Sequence, residues 1–152
     1  MTLIMDVEIE ILREASDEVV AALGLLLPQL SATAGAPDRE AVARLLAFEA
    51  NTVLAARLRG RIVGTLTLVA FPLPSGLRAR IEDVVVDQAA RGRGVAAALT
   101  DTALELARRM GARTVDLTSR PSREAANRLY ERAGFRRRDS AVYRFELDPA
   151  GP

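Results

Sequence analysis

Apolar and polar residues alternate at the start of the chain, with Val7, Ile9 and Ile11 set against Glu8 and Glu10. Asp6 to Leu12 therefore predicts a first strand exposed on one face. The period then lengthens: Val19, Val20, Leu23, Leu26, Leu27 and Leu30 recur at helical spacing over Asp17 to Leu30, behind Ser16 as N-cap. Ser31 to Pro37 is small, polar and Gly/Pro-containing, hence a loop, and Val42, Leu45, Leu46 and Glu49 mark a second helix from about Pro37 to Ala50. Thr52 to Leu58 and Ile62 to Phe71 are β-branched and apolar, and Arg59-Gly60-Arg61 between them reads as a hairpin turn. Pro72-Leu73-Pro74-Ser75-Gly76 then breaks the sheet.

Ile81 to Val86 is apolar apart from Glu82 and Asp83, the pattern of a strand buried on both faces. Past Asp87 the pattern becomes helical, with Val95, Leu99, Ala103, Leu106 and Met110 forming a core stripe that Gly111 closes as a C-cap. Thr114 to Thr118 is a short strand, Pro121-Ser122 opens another helix that Gly134 ends, and Phe135 to Arg138 with Val142 to Leu147 predict a last antiparallel pair. The tail from Asp148 is expected to fray. The order of elements predicts an α/β (α+β) fold: one domain over residues 1–152 with a mixed, mostly antiparallel twisted sheet, a central parallel strand pair and flanking helices. The strand-helix-strand unit from Ile81 to Thr118 supplies the parallel pair.

Composition narrows the chemistry. The 152 residues contain no Cys and no His, so disulfides, thiol catalysis, thiolate or imidazole metal sites and a Ser-His-Asp triad are all excluded, and no metal site is expected. All 21 cationic side chains are Arg, which also excludes a Schiff-base or P-loop lysine. Net charge is +1 with the two signs interspersed, giving no case for nucleic acid. There is no apolar run of membrane-spanning length and no leader pattern, so the cytoplasm is the expected compartment and no membrane partner is expected. Carboxylates, Tyr, hydroxyls, Arg, backbone and water remain.

Between the central strand and the helix after it lies Arg91-Gly92-Arg93-Gly94. Two glycines permit a tight turn and close approach of a ligand to unpaired helix N–H groups, while the helix dipole and two guanidinium groups favour an anion, phosphate above all. The turn can be a plain connection with solvated arginines. Gly92, Gly94 and Ala97 also fit the G-x-G-x-x-A of a dinucleotide-binding turn, but Asp87 to Ala90 separate it from the strand and Asp116 falls within a strand rather than at its end. The third reading is a cradle for the pyrophosphate of an acyl-CoA.

That third reading is strengthened by a resemblance. Arg91-Gly92-Arg93-Gly94-Val95-Ala96, following Val84-Val85-Val86-Asp87, resembles the (Gln/Arg)-x-x-Gly-x-(Gly/Ala) signature of the GNAT superfamily of acyl-CoA-dependent N-acetyltransferases. Ser122 to Phe135 resembles the family's A-x-x-L-Y-x-x-x-G-F segment through Ala126, Leu129, Tyr130, Gly134 and Phe135. The two matches stand in the family's order and cover roughly the C-terminal half of the chain. The resemblance implies acetyl-CoA as cofactor and transfer of acetyl to an amine, small molecule or peptide, by direct attack in a ternary complex. It also implies that the helix-loop-helix near the N-terminus walls the acceptor pocket and that the parallel strands splay to admit the pantetheine arm. A homodimer is allowed. A module that binds CoA with little turnover is the alternative.

Site residues follow. Resemblance places the cofactor against Val84, Val85 and Val86, through an irregularity of the strand that aims an N–H at the thioester carbonyl, and against Arg91, Gly92, Arg93, Gly94, Val95, Ala96 and Asn127. It also makes Tyr130 the general acid near the sulfur, beside the cofactor, although a helical Tyr can equally be core. Tyr130 and Asn127 share a helix face, with Arg123 one turn earlier. Glu82 and Asp83, adjacent in the strand, point to opposite faces. A carboxylate there needs a partner or water, so pairing with Arg78, Arg80 or Arg113 stands beside a catalytic role. Glu82 is the preferred base, by resemblance. Arg136-Arg137-Arg138 reads as a solvated basic strand, and Ser119 and Ser122 as caps or turn formers.

Overall fold

Strand pairing follows chain order. The computed structural model describes residues 6–148, which fall into two units dividing after Thr118. In the first, β1 (Val7–Ile11), α1 (Asp17–Leu30), α2 (Arg39–Ala47), β2 (Asn51–Leu58), β3 (Arg61–Leu73), β4 (Gly76–Val86), a 3₁₀ turn (Gln88–Ala90), α3 (Val95–Met110) and β5 (Val115–Asp116) build one five-stranded sheet in the order β1-β2-β3-β4-β5. The first three pairings are antiparallel; β4 and β5 are parallel, meeting at Ala79–Val115 and Arg80–Asp116. The expected mixed, mostly antiparallel sheet with one parallel pair is observed, and among the described strands that pair stands at the β5 end rather than at the centre.

Side-chain parity sorts the core into two layers. Val53 and Ala55 of β2 join Leu12, Val19 and Leu23 with Val42 of α2, so α1 and α2 cover one face. The other face receives α3, where Val95, Leu99, Ala103 and Ala107 are buried. The stripe on α3 runs to Ala107, whereas Met110 is exposed. Gly64 explains how closely α3 seats: a Cβ there would lie 3.1 Å from Val95 Cγ1 and 3.4 Å from Leu99 Cδ1. Leu99, Leu66, Leu68 and Leu54 are fully buried, each contributing roughly 1.5–3 kcal/mol through removal from water.

Turn and cap chemistry sets the ends. Ser16 Oγ accepts from Val19 N at 3.2 Å to start α1, and Asp38 accepts from Ala41 N at 2.8 Å to start α2. Arg59 and Gly60 have positive φ, giving the two-residue β2–β3 turn. Arg57 gathers β1, α1 and this turn, with its guanidinium donating to Glu10, to Glu18 and to the Gly60 carbonyl.

Two expectations are corrected. Pro72 does not break the sheet: β3 runs on to Leu73 and β4 begins at Gly76, with Pro72 paired to Leu77. Beyond Ala70, which still donates to the Ala50 carbonyl, β3 pairs among the described residues only with β4, the one-sided position in which a sheet tolerates proline. In the second unit, α4 (Glu124–Ala133) ends at Gly134 in the left-handed region as expected, but Phe135 to Arg138 and Val142 to Leu147 form no strand. Three adjacent arginines repel one another there, and a lone hairpin is marginal in water. Val142, Tyr143, Phe145 and Leu147 are exposed. The tail beyond Asp148 lies outside the described residues.

Candidate active site

The central strand carries the expected irregularity. Thr67 pairs with Glu82 but Thr65 pairs with Val85, so Asp83 and Val84 together face Leu66, a one-residue bulge in β4. Asp83 takes φ +50°, a left-handed conformation rare for any residue but glycine and most accessible to Asn and Asp. A bulge withdraws backbone groups from the ladder, which is the physical requirement for an N–H free to meet a developing oxyanion. Pairing with β5 reaches only Arg80, so in the sheet Ile81 to Val86 has no β5 partner among the described residues.

Register settles where the carboxylates stand. Glu82 is opposite Thr67, which is opposite Val53, so Glu82 belongs to the face that α1 and α2 cover. Its Oε2 accepts from Arg80 Nε at 2.9 Å, and Arg80 Nη2 donates to Thr118 Oγ1 at 3.1 Å. Both members of the pair are partly solvated, so the contact is worth roughly 0–1 kcal/mol and opens readily. Asp83 differs. Its surface is open to solvent, yet the packed sheet beneath withdraws enough water to raise its pKa, and the Glu82 charge adds to that rise. The sequence offers Asp83 beside Glu82 but not its left-handed backbone, because the bulge is a property of pairing with β3.

The turn after β4 is built as an anion cradle. Gly92 and Gly94 have φ +77° and +79°, and nothing lies within 4 Å of the position a Cβ would take at either. Gly94 is the N-cap of α3; no side chain caps the helix and no acid occupies its first turn. Its first N–H groups therefore have no side-chain acceptor. Arg91 and Arg93 are exposed beside them, whereas Val95 is buried and fixes the helix start. Open glycine positions, unclaimed donors and two guanidinium groups fit a pyrophosphate. Just upstream, Gln29 at the end of α1 accepts from Gln88 N at 2.9 Å and donates to Asp87 Oδ1 at 3.5 Å.

In the second unit, Tyr130 packs edge-to-face on Phe135, with ring centroids 5.8 Å apart. Burial raises the phenol pKa, and the Arg123 charge only partly offsets that, so the hydroxyl holds its proton at neutral pH. Asn127 donates its amide to the Arg120 carbonyl at 3.0 Å, tying the segment before α4 to the helix. Arg123, not a serine, is the N-cap of α4, and Ser119 Oγ is buried without a partner, so neither Ser119 nor Ser122 caps this helix. Among the described residues no acidic cluster could hold a metal ion, and no helix is long and apolar enough to cross a membrane.

Comparison with known proteins identifies the family. The model of the acetyltransferase (GNAT) family matches residues 16–135. The chain belongs to that family. It is similar to a Trypanosoma brucei acetyltransferase, at 29% identity and TM-score 0.74 over 93% of this chain and 100% of that one. It is also similar to a ribosomal-protein-alanine N-acetyltransferase from Brucella melitensis biovar Abortus, at 25% identity and TM-score 0.75, covering 93% and 99%. An aminoglycoside acetyltransferase from an uncultured soil metagenomic sample is 26% identical, with TM-score 0.72 and coverage of 94% and 98%. A search of curated protein sequences gives no significant match.

Proposed function

We propose that the chain, with residues 1–152 acting as one catalytic domain, is an acetyl-CoA-dependent N-acetyltransferase that moves acetyl to an amine by direct attack in a ternary complex. The observation that carries this is the α3 N-terminus: uncapped, opened by two left-handed glycines, flanked by two exposed arginines, and joined by one 3₁₀ turn to a bulged strand. The first N–H groups of α3, at Val95 and Ala96, would hold the pyrophosphate with Arg91 and Arg93, while Gly92 and Gly94 keep the approach clear. The backbone of Val84 to Val86 would line the pantetheine arm and polarise the carbonyl, with Asn127 and Tyr130 also contacting the cofactor.

When bound, acetyl-CoA supplies the acetyl group as a thioester and departs as the free thiol. Glu82, acting through water, takes the proton that the attacking nitrogen must lose as the C–N bond forms. Tyr130 gives a proton to the departing sulfur as the C–S bond breaks, its hydroxyl being protonated at neutral pH. One proton is accepted and one donated, so amine plus thioester becomes amide plus thiol.

The acceptor is an amine of a small molecule or a peptide. Saturating acetyl-CoA should raise the thermal midpoint, and a panel including an aminoglycoside and a peptide with an N-terminal alanine should reveal an acceptor by release of CoA thiol. Absence of any thermal shift would sink the proposal. Tight binding without thiol release from any amine would assign the chain as a CoA-responsive binding module instead.

A further inference from the structure

The Gln29 side chain spans two elements that the proposed chemistry uses separately. It lies in the last turn of α1, just after Pro28, on the helix that covers the Glu82 face of the sheet. Its carbonyl oxygen accepts from Gln88 N at 2.9 Å, and its amide nitrogen donates to Asp87 Oδ1 at 3.5 Å and to the Leu25 carbonyl at 3.3 Å. Asp87 Oδ1 in turn accepts from Ala89 N at 3.2 Å, and the Asp87 carbonyl accepts from Ala90 N at 2.8 Å. One amide thus engages two successive residues, Asp87 and Gln88, of the turn that delivers the chain into Arg91-Gly92-Arg93-Gly94.

That turn has little else to define it. It is a single 3₁₀ turn of three residues whose only buried side chain is Ala90, and the stretch after it is exposed through Gly94. Asp87 N donates to the Val63 carbonyl at 2.7 Å, which fixes the entry to the turn, and burial of Val95 fixes the helix after it. Between those anchors, the Gln29 amide is, among the described residues, the side chain from another element that hydrogen-bonds the turn. A glutamine serves where a carboxylate or an ammonium would not, because the site needs an acceptor for Gln88 N–H and a donor for Asp87 within one planar group.

We propose that Gln29 is a positioning residue for cofactor binding: its amide holds the Asp87–Ala90 turn so that the Arg91–Ala96 cradle stands in its binding conformation, and thereby couples the end of α1 to acetyl-CoA. The inference rests on the reading of that cradle as the acetyl-CoA site. Pre-ordering a loop spares its ordering cost at the moment of binding, so the effect falls on affinity rather than on the chemical step.

The test is a set of variants read by acetyl-CoA titration, steady-state kinetics, thermal unfolding and amide hydrogen exchange. Gln29→Ala should weaken acetyl-CoA binding roughly tenfold, the scale of one or two lost hydrogen bonds, raising KM with kcat near wild type. Exchange at Gln88 and Ala89 should quicken in the free protein. Gln29→Glu keeps the acceptor for Gln88 N–H but sets a carboxylate against Asp87, so it should bind as poorly as Gln29→Ala. Adding Asp87→Asn to Gln29→Glu removes the repulsion between two carboxylates and should recover part of the loss, which a merely structural role would not produce. Wild-type affinity in Gln29→Ala, or equal falls in stability and kcat with KM unchanged and no rescue by Asp87→Asn, would overturn the proposal. Failure of wild type itself to bind acetyl-CoA would overturn the cradle reading and this inference with it, an outcome visible before any variant is made.

Discussion

Gly64 and Val95 meet where β3 passes under the first residue of α3: a Cβ on the glycine would stand 3.1 Å from Val95 Cγ1 and 3.1 Å from the Val85 carbonyl. Glycine at this point lets the helix bearing the cradle rest against the strand bearing the bulge. Gly64→Val should therefore overpack the interface, costing about 1–3 kcal/mol and lowering the thermal midpoint by several degrees. Because the displaced residue begins α3, acetyl-CoA affinity should fall as well. An unchanged midpoint by thermal unfolding would mean that α3 moves aside freely.

At the cradle, Gly94→Glu should abolish the thermal shift produced by acetyl-CoA. The substitution puts a side chain on a residue at φ +79°, which is strained, and sets a negative charge where a pyrophosphate is expected. Calorimetric titration beside the unfolding scan separates lost binding from lost folding.

The adjacent carboxylates can be told apart by pH. Glu82→Gln should lower turnover chiefly by flattening the rise of rate with pH, with acetyl-CoA binding intact. If Asp83→Asn does this and Glu82→Gln does not, Asp83 is the base. Stability should separate them too. The pKa of Asp83 is raised in the folded protein, so the native state holds its proton more tightly and stability falls as pH rises from the ordinary aspartate value through the raised one. Asp83→Asn removes that fall and suits the left-handed backbone, so it should unfold at a higher temperature than wild type at neutral pH.

Tyr130→Phe keeps the ring and its packing on Phe135 but removes the hydroxyl. Folding and acetyl-CoA affinity should change little while turnover falls, about a hundredfold if acid assistance is typical and less if the thiolate leaves unaided. Turnover at the wild-type rate would pass the role to water or Tyr143.

Legibility in the sequence tracked the range of the interactions involved. Helix α1 was readable to both ends, because its apolar period and the Ser16 cap are encoded within a few residues. So were the β2–β3 turn and the C-caps at Gly111 and Gly134, where positive φ selects glycine. The start of β4 was not, since Pro72 signals a break unless β2 is known to stop short of it. Nor could alternation in Tyr143, Phe145 and Leu147 make a strand, because alternation supplies a pattern and not a neighbour. For the site, the glycines and arginines of the cradle declared themselves. Arg80 was among the partners the sequence offered for Glu82, two residues away in one strand, whereas the left-handed Asp83 and the grip of Gln29 on Asp87 depend on register or on residues distant in sequence.

The bulge also inverts the strand that contains it. Upstream, Ile81 pairs with Leu68, on the same side of β3 as Gly64 and thus toward α3; downstream, Val85 pairs with Thr65, which in turn pairs with Ala55, toward α1 and α2. Ile81 and Val85 are four apart and would share a side in a regular strand, yet both are buried, in opposite layers. Deleting Asp83 or Val84 to smooth the ladder would put Val85 out of step with the sequence of buried positions or shift every residue after it. The irregularity is locked by the hydrophobic pattern on either side of it, so a chain that loses it must misplace its own core.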